Sequence, residues 1–263
     1  MDRRRLDAEL VRRGLVESPT EAEEAVRAGR VLVRGAPATK ITTLVARDEP
    51  LALSGPARPF VSRGGRKLVA ALDAFAIDPD GRDALDAGAS TGGFTDVLLQ
   101  RGARHVVAVD VGSGQLAWEL RTDPRVTVLE RTNVRDLRPE ALPYRPSIVT
   151  VDLSFISLRL VLGALVAAAA EEADVVSLIK PQFEAGREEV GHGGVVRDPN
   201  VWRRVLQRVM DAANQEGAGP AGLIPSPIKG PAGNVEFLIH AVVGAPGAIL
   251  DLDGVILAAG EVA

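Results

Sequence analysis

The chain has 263 residues, 31 of them Lys or Arg against 35 Asp or Glu, and no cysteine. Its length suits one large domain or a small one with a medium one, and a composition 46% hydrophobic and 25% charged excludes disordered and fibrous classes. The missing cysteines exclude a disulfide framework, thiolate metal sites and any cysteine nucleophile, so no metal ligand set is expected and chemistry must use other side chains.

Only Lys40, Lys67, Lys180 and Lys229 are lysines; the other 27 basic residues are arginines. Lysine is the more compact cation and the more readily tuned in pKa, so a lysine kept in an arginine-rich chain is a candidate for chemistry. The first residues, Met1-Asp2-Arg3-Arg4-Arg5-Leu6-Asp7, lack the apolar stretch of a secretory signal. The longest apolar run, residues 160–170, is eleven long and too short for a bilayer. A cytoplasmic protein, monomeric and without a membrane partner, is the expectation.

Residues 1–58 carry 11 basic and 9 acidic side chains, against 20 and 26 in the remainder, so a modestly basic module precedes an acidic body. Leu6, Leu10 and Val11 predict a first helix ending at Gly14, with Arg3, Arg4, Arg5, Arg12 and Arg13 around its apolar stripe. Ser18-Pro19-Thr20-Glu21 reads as a capping box opening a second helix through Arg27. Gly29-Arg30-Val31-Leu32-Val33-Arg34-Gly35 is a short strand, followed by strand-like pieces up to Leu53. Such arginines suit a phosphate backbone, although they could equally solvate a small domain. The series Arg5-Leu6-Asp7, Leu10-Val11, Gly14, Ser18, Ala22, Gly29-Arg30-Val31-Leu32-Val33, Gly35, Pro37-Ala38, Lys40 resembles the alpha-L RNA-binding fold, named after a ribosomal small-subunit protein. That resemblance implies RNA contacts through Arg3, Arg4, Arg5, Arg12, Arg13, Arg30, Arg34 and Lys40.

Residues 54–60, with two prolines and a glycine, read as a linker. Beyond it, strand-like runs at 84–87, 105–110, 126–129, 147–152, 174–179, 222–224 and 235–243 alternate with helical patterns such as 158–171 and 199–213. This predicts an α/β domain built on a Rossmann-like doubly wound sheet. The expected division is residues 1–58 for the small α+β domain, 59–245 for the sheet domain and 246–263 for a C-terminal tail, either a last strand or a loose end.

The loop Asp86-Ala87-Gly88-Ala89-Ser90-Thr91-Gly92-Gly93-Phe94 falls where the first strand turns into a helix, the place where open α/β sheets bind ligands. Ser90 stands where a dinucleotide fingerprint needs its second glycine. The loop instead resembles motif I of class I methyltransferases, which implies S-adenosylmethionine, with its carboxylate near the helix start after Gly93. Asp110, ending the second strand, is placed to accept hydrogen bonds from a ribose. Asn133 and Asp136, after the third, are placed to read an adenine amine.

Four charged residues remain in apolar or glycine-rich surroundings: Lys67 at a helix start, Asp152 ending the fourth strand, Lys180 ending the fifth and Glu236 opening the last. The phrases S-R-G-G-R-K-L, D-A-G-A-S-T-G-G-F, D-L-S-F-I-S-L, K-P-Q-F-E and G-P-A-G-N-V-E resemble the TlyA family, whose catalytic domain is similar to the FtsJ ribose methyltransferases. The resemblance implies methylation of a ribose 2'-oxygen in ribosomal RNA of the small or large subunit. It also implies a catalytic tetrad at Lys67, Asp152, Lys180 and Glu236. One departure is Ser113, where the family usually has an aromatic residue.

A ribose hydroxyl is a poor nucleophile, so positioning and electrostatics are the help a protein can give it. Base-nitrogen methylation is the nearest rival, but D-L-S-F lacks both prolines of the amino-methylating motif and gives Lys180 no role. Methylation at pyrimidine carbon five needs the absent cysteine. A non-catalytic ribosome-assembly factor and a membrane-damaging haemolysin, a label attached to this family, are the remaining rivals.

Overall fold

The computed structural model describes residues 3–16, 19–54 and 59–262. They fall into two compact units, the first ending at Pro59 and the second starting at Phe60. No helix among the described residues is long and apolar enough to cross a membrane.

In the small unit, β1 (Arg3–Arg5), α1 (Leu6–Arg12), α2 (Pro19–Arg27), β2 (Val31–Val33), β3 (Ala36–Pro37), β4 (Leu44–Ala46) and β5 (Leu51–Leu53) follow in order. β1 pairs antiparallel with β4, and β3, β2 and β5 form a second small sheet. Leu6 and Leu10, one helical turn apart, bury the inner face of α1 against Ala22, Ala25, Val31 and Val45. Ser18 lies outside the described residues, and with it the predicted capping box. Beside this core sits the buried carboxylate of Glu9, which accepts bonds from Arg12 Nε and Arg13 Nε, each 2.8 Å long. These two guanidinium groups, Arg12 first, pull its pKa down to about 2.

That arrangement gives several of the expected RNA-contacting arginines partners within the small unit. Arg13 donates onward to the carbonyls of Glu49, Ala46 and Arg47, so it ties α1 to the β4–β5 connection. Arg12 shares Glu9, Arg5 pairs with Asp7 at 2.7 Å, and Arg34 with Glu49 at 2.8 Å. Arg3, Arg4 and Lys40 are exposed, and Arg30 is half-buried.

The second unit carries α3 (Gly65–Phe75), β6 (Asp83–Ala87), α4 (Gly93–Gln100), β7 (His105–Val109), α5 (Trp118–Arg121), β8 (Val126–Leu129), β9 (Ile148–Val151), α6 (Leu162–Ala168), β10 (Asp174–Ile179), α7 (Pro181–Glu184), α8 (Pro199–Gln215), β11 (Ala218–Pro225), β12 (Phe237–Val243) and α9 (Leu252–Gly260). Its strands form a seven-stranded sheet in the order β11-β12-β10-β9-β6-β7-β8, with β12 antiparallel to both neighbours. Side chains alternate across a strand, and here the alternation sorts two cores. Leu85, Val107, Val149, Val175, Ile179 and Phe237 face α6, α8 and α9, whereas Ala84, Val106, Ile148, Val176, Leu178 and Leu238 face α3 and α4. The helix predicted over 158–171 is interrupted: a 3-10 turn at Leu158–Leu160 precedes α6.

The C-terminal segment is neither strand nor loose end. Ala245-Pro246-Gly247 only turns the chain; Asp251 then caps α9 by accepting from the Gly254 N–H. Ala259 is buried, and Leu252, Val255 and Ile256 pack on the core at the same helical spacing. Phe237 is fully buried, with its ring centroid 5.9 Å from that of Trp202. Phe237→Ala is expected to destabilise the second unit by about 3–5 kcal/mol, seen as a lower unfolding midpoint in urea.

Candidate active site

Alternation along the strands also aligns the polar residues. Asp86, Thr150, Asp152, Lys180 and Glu236 continue the rows of Ala84, Ile148, Leu178 and Leu238, the sheet face that packs on α3. Ala87 is in register with Val151, and Ile179 with Phe237, so one step beyond the ladder Gly88 comes beside Asp152 and Lys180 beside Glu236. Gly88 needs to be glycine: its φ is +89°, and a Cβ there would stand 2.5 Å from the Asp152 carbonyl oxygen.

The four candidate catalytic residues form two ion pairs. Lys67 Nζ, on the first turn of α3, donates to Glu236 Oε2 at 2.6 Å, and both side chains are buried. Lys180 Nζ stands 2.6 Å from Asp152 Oδ1 and donates an aligned hydrogen bond of 2.9 Å to Ser154 Oγ. The contact with Asp152 is an ion pair without hydrogen-bond alignment.

Next to this network opens a cavity of about 420 Å³ lined by Gly88, Ser90, Asp110, Val111, Gln115, Asn133, Val134, Asp152, Leu153, Ser154, Phe155, Ile156 and Val161. Asp110 organises one end: Oδ2 accepts from the Ser90 N–H at 2.9 Å and Oδ1 from the Gly112 N–H at 2.7 Å. Each oxygen keeps a lone pair for a ligand hydroxyl. Ser90 holds a positive φ of 48° without being glycine, and its hydroxyl donates to Gln115 Oε1. Volume, apolar walls and a carboxylate at a strand end suit a nucleoside-bearing ligand such as S-adenosylmethionine.

Of the expected cofactor residues, Gly88, Ser90, Asp110 and Asn133 are in this wall, and six are elsewhere. Phe94 belongs to the core under α4, and Gly92 packs against Leu116 and Leu120. Gly93 approaches Ser62, Thr91 is half-buried with its carbonyl accepting from the Ala117 N–H, and Asp136 is exposed beyond Asn133. Asp86 lies fully buried beneath the loop, accepting from Thr95 Oγ1 at 2.7 Å and Thr150 Oγ1 at 3.1 Å. Ser113 is exposed at a turn whose neighbours Gly112 and Gly114 donate their N–H groups to Asp110 and Glu130, so no core space awaits an aromatic ring there.

Residues that sequence reasoning passed over include Val111, Gln115, Val134 and Ser154 in the wall, and Glu184 behind it. Adjacency to Asp110, Asn133 and Asp152 was the available signal. Glu184 is buried, and its carboxylate accepts from Ser157 Oγ, the Leu158 N–H and Arg159 Nε, so it clamps the loop after Asp152 to the helix after Lys180. On that loop Phe155 takes a φ of +65° and is 91% exposed, its ring 5.3 Å from that of Phe183.

With this geometry in view, the comparisons with known proteins are specific. A family model described as FtsJ-like methyltransferase matches residues 60–242, and one described as S4 domain matches residues 4–49. The chain is 56% identical over 238 residues to the 16S/23S rRNA (cytidine-2'-O)-methyltransferase TlyA of Mycobacterium tuberculosis, covering 90% of this chain and 89% of that one. It is 47% identical over 237 residues to YqxC of Bacillus subtilis, covering 90% and 84%. A solved structure described as a hemolysin from Streptococcus thermophilus superposes with a TM-score of 0.83 at 40% identity, over 99% of this chain and 97% of that chain.

Asp86 supplies a pH test of the site's foundation. Burial, opposed in part by the two threonine hydroxyls, raises its pKa to about 6. Because the folded state binds this proton more tightly than the unfolded one, the contribution is unpenalised at low pH, and stability falls as pH climbs from about 4 to about 6. Asp86→Asn removes that dependence. The difference in unfolding free energy between wild type and Asp86→Asn is expected to change by about 3 kcal/mol in favour of the variant across this window, measured by urea unfolding at each pH.

Proposed function

The chain belongs to the TlyA group of FtsJ-like methyltransferases, and from that premise we infer that it transfers a methyl group from S-adenosylmethionine to the 2'-oxygen of a cytidine ribose in ribosomal RNA. The observation that carries the reading is the pairing of Lys180 with Asp152 at the edge of a cavity whose far end presents the Asp110 carboxylate. Asp110 would hold the ribose hydroxyls of the methyl donor, with Val111 and Val134 along its adenine. Asn133 Oδ1, which caps the following turn by accepting from the Arg135 N–H, keeps a second lone pair that would accept from the adenine amine. Bound there, S-adenosylmethionine supplies a methyl group on a positively charged sulfur.

The protein's own residues act on the acceptor. Lys180, as an ammonium, orients the ribose hydroxyl and stabilises the negative charge that grows on its oxygen as the proton passes to the Asp152 carboxylate, which lines the same cavity. Asp152 holds Lys180 in place at 2.6 Å. Lys67 and Glu236, locked to each other at 2.6 Å, stand beside Lys180 one step beyond the β10–β12 ladder. Phe155, exposed at the cavity edge, offers a face on which the target base can rest. The small unit supplies RNA affinity through exposed Arg3, Arg4 and Lys40 with Arg30, contacts that position without reading sequence. The partner is ribosomal RNA or a ribosomal subunit, and the protein acts on it in the cytoplasm as a monomer.

Lys180→Ala is expected to lower methyl transfer to purified ribosomal subunits by at least about 10³-fold while donor binding by calorimetry stays within about threefold of wild type. Turnover near the wild-type rate would remove Lys180 from the mechanism.

A further inference from the structure

We propose that Ser154 is a positioning residue for Lys180: by accepting a hydrogen bond from Nζ, its hydroxyl sets the direction of the remaining ammonium N–H beside the cavity that Asp152 and Ser154 line. The inference rests on the reading of Lys180 given above. An ammonium group carries three N–H bonds around an axis about which it turns easily. Asp152 Oδ1, at 2.6 Å but out of hydrogen-bond alignment, supplies Coulomb attraction, which fixes distance more than rotation. The bond to Ser154 Oγ, 2.9 Å long, is directional. With one N–H aimed at Ser154 and another side of the nitrogen facing Asp152, the third N–H has a defined direction. Ser154 itself lines the cavity, so this direction is set at the cavity surface.

The mounting of Ser154 supports such a role. It sits two residues beyond Asp152, and the next residue, Phe155, holds a left-handed φ of +65° that a non-glycine residue adopts only under constraint. The same loop is held by Glu184, whose buried carboxylate gathers Ser157, Leu158 and Arg159. Glu184 ends α7, the helix that starts directly after Lys180. Donor and acceptor of the Lys180–Ser154 bond are therefore carried by two segments clamped to one another four residues away on either side. Misplacing a reacting group by about 1 Å can cost roughly 10²-fold in rate, which is the scale of effect that such a clamp guards against.

Ser154→Ala, Ser154→Thr and Lys180→Ala should be compared in the full chain, with S-adenosylmethionine and purified ribosomal subunits. Ser154→Ala is expected to lower kcat about tenfold or more, with KM for the methyl donor within about twofold of wild type and the unfolding midpoint unchanged. Ser154→Thr, which keeps the hydroxyl, should return kcat to within about threefold of wild type. Wild-type kcat in Ser154→Ala, or equal losses in the Ala and Thr variants, overturns the positioning role. If Lys180→Ala itself keeps wild-type turnover, the reading on which the inference rests fails with it, and the two failures are thereby told apart.

Discussion

Two lysines and two carboxylates meet where the carboxyl ends of β9 and β10 adjoin the start of β12 and the first turn of α3, and the requirement that buried charge be paired governs how the second unit is assembled around them. Lys67 and Glu236, 169 positions apart, are almost fully buried against each other. Removing either leaves the other as an uncompensated charge, a loss of several kcal/mol in other proteins. The pair fastens the first turn of α3 to the start of β12. The lead into α3 is fixed again on the other side, where the Val61 N–H donates to Asp96 Oδ2 on α4 and Ser62 packs on Gly93. The glycine loop and the lysine network therefore rest on the same short segment.

A second constraint is the two-residue period of the strands. It puts Asp86, Thr150 and Asp152 on one sheet face, and this brings two carboxylates close enough for Asp152 to add to the rise in the Asp86 pKa. The protein separates their tasks by surroundings. Asp86 receives two hydroxyl donors in a sealed interior, whereas Asp152 stands at the cavity beside a cation. Buried Glu184 has a third task, holding the cavity loop by its side chain and one main-chain N–H.

Much of this was legible in the sequence because strand alternation and chain order are local properties. The runs ending at Asp86, Asp110, Asp152 and Lys180 were readable, and so was the basic module with Leu6 and Leu10 inside. What escaped depends on contacts between distant segments. Arg13 looked like a surface cation, but its partners are carbonyls some 33 to 36 residues away. Asp86 looked like a ligand residue because it precedes the glycine loop, yet its side chain points to the α3 face beneath it. The C-terminal helix was hidden by Pro246 and Gly247, which mark a turn equally well before a helix or before an unstructured end. Glu184 carried no periodic signal, since its function is to join the end of α7 to a loop that the sequence shows 26 residues away.

The shared ancestry with rRNA methyltransferases gives the reaction class, and the geometry of Lys180, Asp152 and the Asp110 cavity supplies a physical route to it. Lys180 and Asp152 have a role only if the methyl group arrives on ribose oxygen and not on a base. The direct measurement is to incubate the protein with S-adenosylmethionine carrying a labelled methyl group and each purified ribosomal subunit, then digest the RNA and identify the labelled nucleoside by mass spectrometry. A 2'-O-methylated cytidine, with the adjoining linkage resistant to alkali, is the predicted product; label on a base, or none on either subunit, would contradict the account.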